Sequence, residues 1–268
     1  MNFIMLCLPM VRFFSFTLIS FLSVFLYGGV QPKPWQIGFQ EANAPLMEEI
    51  TKVHNLVFII LCIIGITVTI LLIAVIYKFR ESKNPKPSTT EHHTVLEIIW
   101  TVIPVLLLIV ILIPSIKILY VFDKAENPDM TIKVTGHQWY WSYEYLNDDD
   151  SKKISFDSYM IKDEDLKPGQ LRLLDVDKPV VLPKGKTVRI LITSQDVIHS
   201  FAVPALGIKT DGIPGRTNET WLRVEKEGMY YGQCSELCGK DHGFMPIALK
   251  IVSQEEYNQW VNSNTKQK

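Results

Sequence analysis

The chain has 268 residues and a formal net charge of −1, with 27 lysines and arginines against 28 aspartates and glutamates. Its charge gives no reason to expect nucleic acid as a partner, and its length accommodates one or two domains. Nearly all the long uncharged runs precede Tyr120, so the chain is expected to occupy two environments, one apolar and one aqueous.

Arg12 is followed by an apolar run of about 15 residues ending at Tyr27, short for a spanning helix and typical of a signal-peptide core. Residues 1–30 are therefore expected to be a signal peptide or presequence, cleaved near Gln31, with a retained anchor as the alternative. Residues 31–53 follow as an exported segment. The next uncharged run, residues 56–77, covers about 22 residues, enough at about 1.5 Å per residue to cross a hydrocarbon core. A second run of about 19 residues, 98–116, contains Pro104 and Pro114, which a membrane helix with packed neighbours tolerates. Together they predict a two-helix transmembrane hairpin over residues 54–122. Its connection carries Lys78, Arg80, Lys83 and Lys86 against Glu81 and Glu91, which places the loop in the cytoplasm or matrix and both ends on the opposite side.

Beyond Tyr120 the apolar period becomes two. Ile132 and Val134 alternate with Thr131, Lys133 and Thr135, and Val188, Ile190 and Ile192 alternate with polar or basic residues. Turn signals at Pro168-Gly169, Pro183-Lys184-Gly185 and Pro214-Gly215 punctuate these strands as in an all-β Greek-key sandwich or barrel, expected over residues 123–268. Ser253 with Glu256 three residues later reads as a capping box for a C-terminal helix over residues 254–262.

Of four cysteines, Cys7 and Cys62 lie in apolar runs, whereas Cys234 and Cys238 share a polar stretch with His242 and Met245. Two thiols, an imidazole and a thioether within twelve residues are soft or borderline donors. Zinc rarely takes methionine, and iron–sulfur clusters usually take four thiolates, so copper is the best match. His199, just after the strand around residues 188–193, supplies a second imidazole from the following loop. A mononuclear blue-copper site needs only one thiolate. The surplus cysteine therefore points to a pair of coppers bridged by two thiolates, or alternatively to a Cys234–Cys238 disulfide.

The motif Cys234-x3-Cys238-x3-His242-x2-Met245, with His199 in Asp196-Val197-Ile198-His199-Ser200-Phe201, resembles subunit II of haem–copper cytochrome c oxidases. The resemblance covers nearly the whole chain after Lys33, including Gly136-His137-Gln138-Trp139-Tyr140-Trp141, Lys209-Thr210-Asp211-Gly212 and Tyr230-Tyr231-Gly232-Gln233-Cys234. It implies a cupredoxin-like domain holding a dinuclear CuA centre. Cys234 and Cys238 would bridge both coppers, His199 and Met245 would complete one ion, and His242 the other. Glu236 would offer its backbone carbonyl to the second copper and its carboxylate to a magnesium ion shared with oxidase subunit I.

The family also implies that Trp139 is where electrons enter, while Tyr140 and Trp141 read as core. Arg216 would lie on the route toward haem a in subunit I, and Glu97 at the mouth of a proton path. The implied activity is that of cytochrome c oxidase, in complex with subunit I, other oxidase subunits and membrane lipid. Electrons would pass from cytochrome c to the haems of the partner subunit, coupled to proton translocation. Carboxylates at Asp148, Asp149 and Asp150, at Asp163, Glu164 and Asp165, and at Asp157 and Asp196 would steer a basic cytochrome c. The expected location is a bacterial plasma membrane with the copper domain on the periplasmic side, or alternatively the mitochondrial inner membrane. A quinol oxidase subunit would lack the copper ligands, a copper chaperone would not need the aromatic string or Glu97, and nitrous oxide reductase lacks the two-helix anchor.

Overall fold

The computed structural model describes residues 29–86, 88–123, 125–146 and 154–265. The expected signal core and the carboxylates Asp148, Asp149 and Asp150 lie outside the described residues. The chain forms two units, one of residues 46–124 and one of the residues on either side of it.

The first unit is a pair of helices, α1 (Pro45–Lys78) and α2 (Thr94–Asp123). Proline suits the first turn of α1 because its missing N–H would have no helical partner there. Glu48 in the first turn and Lys78 in the last complement the helix dipole. The uncharged run 56–77 fills most of α1, and residues before it extend the helix through a polar stretch. The most apolar window of each helix has 0% of its residues buried. Side chains such as Leu71 and Ile103 therefore present an exposed apolar surface of the kind a membrane-spanning helix carries. Pro104 and Pro114 both remain inside α2. This is the expected transmembrane hairpin.

The second unit is a β-sandwich. Its strands are β1 (Gly29–Val30), β2 (Met130–His137), β3 (Tyr140–Leu146), β4 (Ile154–Ser158), β5 (Val180–Pro183), β6 (Val188–Ser194), β7 (His199–Val203), β8 (Ile208–Gly212), β9 (Asn218–Leu222), β10 (Gly228–Cys234) and β11 (Pro246–Val252). One sheet runs β5-β11-β10-β7-β8, with β1 pairing β10, and the other runs β4-β3-β2-β6-β9. Parallel pairs β2–β6 and β5–β11 sit within mainly antiparallel sheets, because the chain leaves each sheet and later returns to it. This is the cupredoxin-like Greek-key arrangement.

Period two explains the inner faces. Ile132, Val134, Val188, Ile190 and Ile192 are fully buried, while Lys133 and Arg189 point away. Strand β7 departs from that rule because all five of its residues are buried. His199 consequently opens a strand, where the sequence suggested a loop. The two sheets are tied by Tyr145 of β3, whose hydroxyl donates to the Val181 carbonyl at 2.9 Å and accepts its N–H at 3.0 Å. The terminal helix α3 (Gln254–Thr265) packs Tyr257 and Trp260 against the core. Ser253 Oγ accepts the Glu256 N–H at 3.2 Å, giving one half of the expected capping box. Glu256 instead accepts from Lys250 at 2.7 Å.

Tyr145→Phe keeps the ring and leaves both Val181 backbone groups unpaired at a buried position. The expected loss is about 1–3 kcal/mol of domain stability, with an unchanged denaturant slope. Urea unfolding of the purified protein checks this, and an unaltered midpoint would remove the tie from the account.

Candidate metal centre

Three chain segments meet at one end of the sandwich: the β2–β3 turn, the start of β7, and the loop from β10 to β11. The loop begins where Cys234 ends β10, takes a tight turn through His242–Phe244, and returns to β11 after Met245. Ser235 N–H donates to the Ser200 carbonyl at 3.0 Å, which holds the loop against the strand bearing His199.

The donor atoms converge. Cys234 Sγ lies 3.8 Å from Cys238 Sγ and 3.8 Å from His199 Nδ1. Cys238 Sγ lies 3.5 Å from both His242 Nδ1 and Met245 Sδ. The carbonyl oxygen of Glu236 is 3.3 Å from Cys234 Sγ. Both cysteines are free thiols, and their separation is far beyond the roughly 2.05 Å of a disulfide. His199, Cys234, Cys238 and Met245 are buried, whereas His242 is only partly covered and Glu236 is exposed. The site is therefore dry on the β7 side and accessible at His242.

The imidazole of His199 is locked from several sides. Its Nε2 meets Asp196 Oδ1 at 2.8 Å, so Nδ1 faces the sulfurs, the arrangement that orients a metal-ligating histidine. Trp141 packs edge-on against the ring, with centroids 5.8 Å apart. Gly136 makes room, since a Cβ there would lie 2.8 Å from the imidazole. Asp196 also accepts the N–H groups of Val197 and Gln138, both at 2.7 Å. Burial raises the Asp196 carboxyl, but these bonds outweigh it and keep its pKa below the ordinary value. For His199, burial disfavours the charged form, yet the hydrogen bonds to Cys234 and Asp196 leave its pKa raised.

The thiols are held unequally. Burial pushes Cys234 up, but hydrogen bonding with His199 and with the backbone at Ser200 and Glu236 brings it down to about 7. Burial, then the neighbouring Cys234 charge, pushes Cys238 up to about 12. Cys234 is therefore the readier of the two to ionise. Two thiolates, two imidazoles and a thioether around one gap fit soft, thiophilic copper.

The other residues singled out in the sequence lie at or away from this cluster. Trp139 is half-buried, with its Nε1 donating to the Cys238 carbonyl at 3.1 Å and the Lys240 ammonium 5.6 Å over its ring. Trp141 is core, and its Nε1 donates to the Met245 carbonyl at 3.2 Å. Tyr140 is not core. Strand alternation turns it outward, where it stacks between His137 and Tyr159 with centroids 4.5 and 4.6 Å away. Arg216 is exposed in the β8–β9 turn and accepts a bond from Thr193 Oγ1 through its carbonyl at 2.8 Å. Glu97 belongs to the helical unit, where its carboxylate accepts the His93 N–H at 3.1 Å while His93 Nδ1 accepts the Leu96 N–H at 3.3 Å. It thus helps cap the start of α2. Sequence reasoning treated Asp196 only as a surface charge. Its spacing three residues before His199 is the signal that pairs them.

Comparison with known proteins gives the same picture for both units. The family model described as the cytochrome c oxidase subunit II transmembrane domain matches residues 32–118, and that for the periplasmic domain matches residues 130–252. A probable cytochrome c oxidase subunit 2 of Rickettsia bellii is 54% identical over 236 residues, covering 88% of this chain and 87% of the relative. The cytochrome c oxidase subunit 2 of Mycosarcoma maydis is 48% identical over 235 residues, covering 87% and 92%. Among solved structures, the periplasmic domain of cytochrome oxidase subunit II from Bradyrhizobium japonicum shares 52% identity with a TM-score of 0.49, covering 53% of this chain and 98% of that one. With a membrane hairpin, a sandwich bearing a sulfur–imidazole cluster, and family matches across both, the chain belongs to the cytochrome c oxidase subunit II family.

Proposed function

We propose that this oxidase subunit receives electrons from cytochrome c at a dinuclear copper centre and delivers them to haem a and the oxygen-reducing site of subunit I, coupled to proton translocation. The observation that carries this reading is the pair of buried free thiols 3.8 Å apart, flanked by His199, His242 and Met245. When bound, a thiolate-bridged copper pair supplies reversible one-electron chemistry with its redox change spread over both metals.

The chain's own residues provide the ligand shell and the access. Cys234 and Cys238 would hold both ions, with His199 and Met245 serving one and His242 with the Glu236 carbonyl serving the other. Asp196 keeps the His199 tautomer that leaves Nδ1 free to bind. Burial of the two cysteines, His199 and Met245 excludes water, while the partly covered edge at His242 gives a path outward to subunit I. Arg216 supports that route, and the exposed Glu236 carboxylate is available to a magnesium ion shared with subunit I, a hard cation suited to oxygen donors. The domain arrangement that fits is a cleaved presequence, an exported segment, the hairpin and the copper domain, in a bacterial plasma membrane with that domain periplasmic.

Trp139 is the electron port in this reading, since its indole joins the partly exposed surface to the Cys238 carbonyl through one hydrogen bond. Trp139→Gln should leave copper content and spectrum intact while slowing copper reduction by cytochrome c at least about tenfold, because an aligned contact is lost. Rapid mixing of the purified oxidase with reduced cytochrome c measures this, and an unchanged rate would remove the tryptophan from the path.

Glu97 is proposed to feed protons into subunit I in addition to capping α2. Glu97→Gln retains an oxygen acceptor for the His93 N–H but cannot carry a proton. Turnover should fall while copper reduction stays normal. Normal turnover would leave Glu97 with its capping role alone.

A further inference from the structure

The residue before Trp139 makes an unusual set of contacts. Gln138 is exposed, yet both of its donor groups are directed into the protein. Its backbone N–H donates to Asp196 Oδ2 at 2.7 Å, and its side-chain Nε2 donates to the Cys238 carbonyl at 2.8 Å. Asp196 holds His199 through its other oxygen, and Cys238 is one of the two bridging thiols of the proposed centre. One residue is therefore fastened to both segments that carry the donor atoms.

The Cys238 carbonyl receives two donors side by side, the Gln138 amide and the Trp139 indole N–H at 3.1 Å. A carbonyl oxygen has two lone pairs, so this pair of bonds satisfies it. Gly239 makes the approach possible. It has φ +123, and a Cβ there would lie 2.9 Å from the indole ring and 3.1 Å from the Gln138 amide nitrogen. An exposed glutamine that gains nothing by being fixed remains solvated and keeps its rotamer freedom. Here the side chain gives up that freedom to reach a residue 100 positions away in sequence.

We propose that Gln138 is a positioning residue for electron transfer: its amide on the Cys238 carbonyl and its peptide N–H on Asp196 clamp the Trp139 indole against the copper loop. The proposal rests on Trp139 being the electron port. Without the clamp, the indole keeps its packing against the core and its own hydrogen bond, but the Cys238 carbonyl it is bonded to loses its second anchor, and Lys240 on the ring face offers only a loose, exposed contact at 5.6 Å. The ring then spends less time in the aligned position, and electron transfer slows without loss of any ligand.

The test compares Gln138→Leu, Gln138→Glu and Trp139→Gln in the intact oxidase. Leucine removes the polar group, and ionised glutamate keeps its length but has no proton to donate. Both Gln138 variants should retain copper content and spectrum and keep KM for cytochrome c within about twofold. Both should also reduce copper about tenfold more slowly at saturating cytochrome c, since misalignment on the scale of an ångström is costly. A normal rate in either variant overturns the proposal. So does a change confined to KM, which would make Gln138 a docking contact, or loss of copper, which would make it a support for the ligands. If Trp139→Gln is slow while the Gln138 variants are normal, only the clamp fails. If Trp139→Gln is itself normal, the assignment of the port fails first.

Discussion

Two sulfurs of buried cysteines only 3.8 Å apart resist carrying charge together. Like unit charges at that distance repel by about 4 kcal/mol even at an effective dielectric constant near 20. Burial and this repulsion together push the Cys238 thiol up, and a cation beside the sulfurs would relieve both. The rest of the domain is arranged around that constraint. Strands β10 and β7 bring Cys234 beside His199, the returning loop brings Cys238, His242 and Met245, and Asp196 and Trp141 prevent the imidazole from turning away.

The same constraint links the site to its surroundings. Several groups that orient a donor also touch residues 138–141. Trp141 contacts His199 and the Met245 carbonyl, Trp139 and Gln138 share the Cys238 carbonyl, and Gln138 reaches Asp196. The β2–β3 segment thus packs over the loop of residues 234–245 as well as forming part of the sandwich. A rigid shell of this kind suits electron transfer, in which donor atoms should move little between oxidation states.

Much of this was legible in the sequence because the informative residues are close together. Four of the five side-chain donors fall within one twelve-residue loop, and strands β2 and β6 alternate cleanly because each has one inner face. Strand β7 was hidden because it is buried throughout and shows no alternation. The polar start of α1 was hidden because only its uncharged part signals a span. Tyr140 was misread as core although Ser142 and Glu144, two and four residues on, mark its side of the strand as the outer one. The bonds from Gln138 and Trp139 to Cys238 span 100 and 99 residues, and no local pattern encodes such contacts.

The central claim is that both thiols serve a shared pair of coppers, and electron paramagnetic resonance of the copper-loaded protein, with copper quantified on the same sample, tests it most directly. The account predicts about two coppers per chain and, in the mixed-valence state, one electron shared equally between them as a seven-line hyperfine pattern. That pattern should vanish in Cys234→Ser or Cys238→Ser and survive in Met245→Leu, whose thioether is a weak axial donor. A single copper per chain with a four-line pattern, or a Cys234–Cys238 disulfide in freshly isolated membranes, would contradict it.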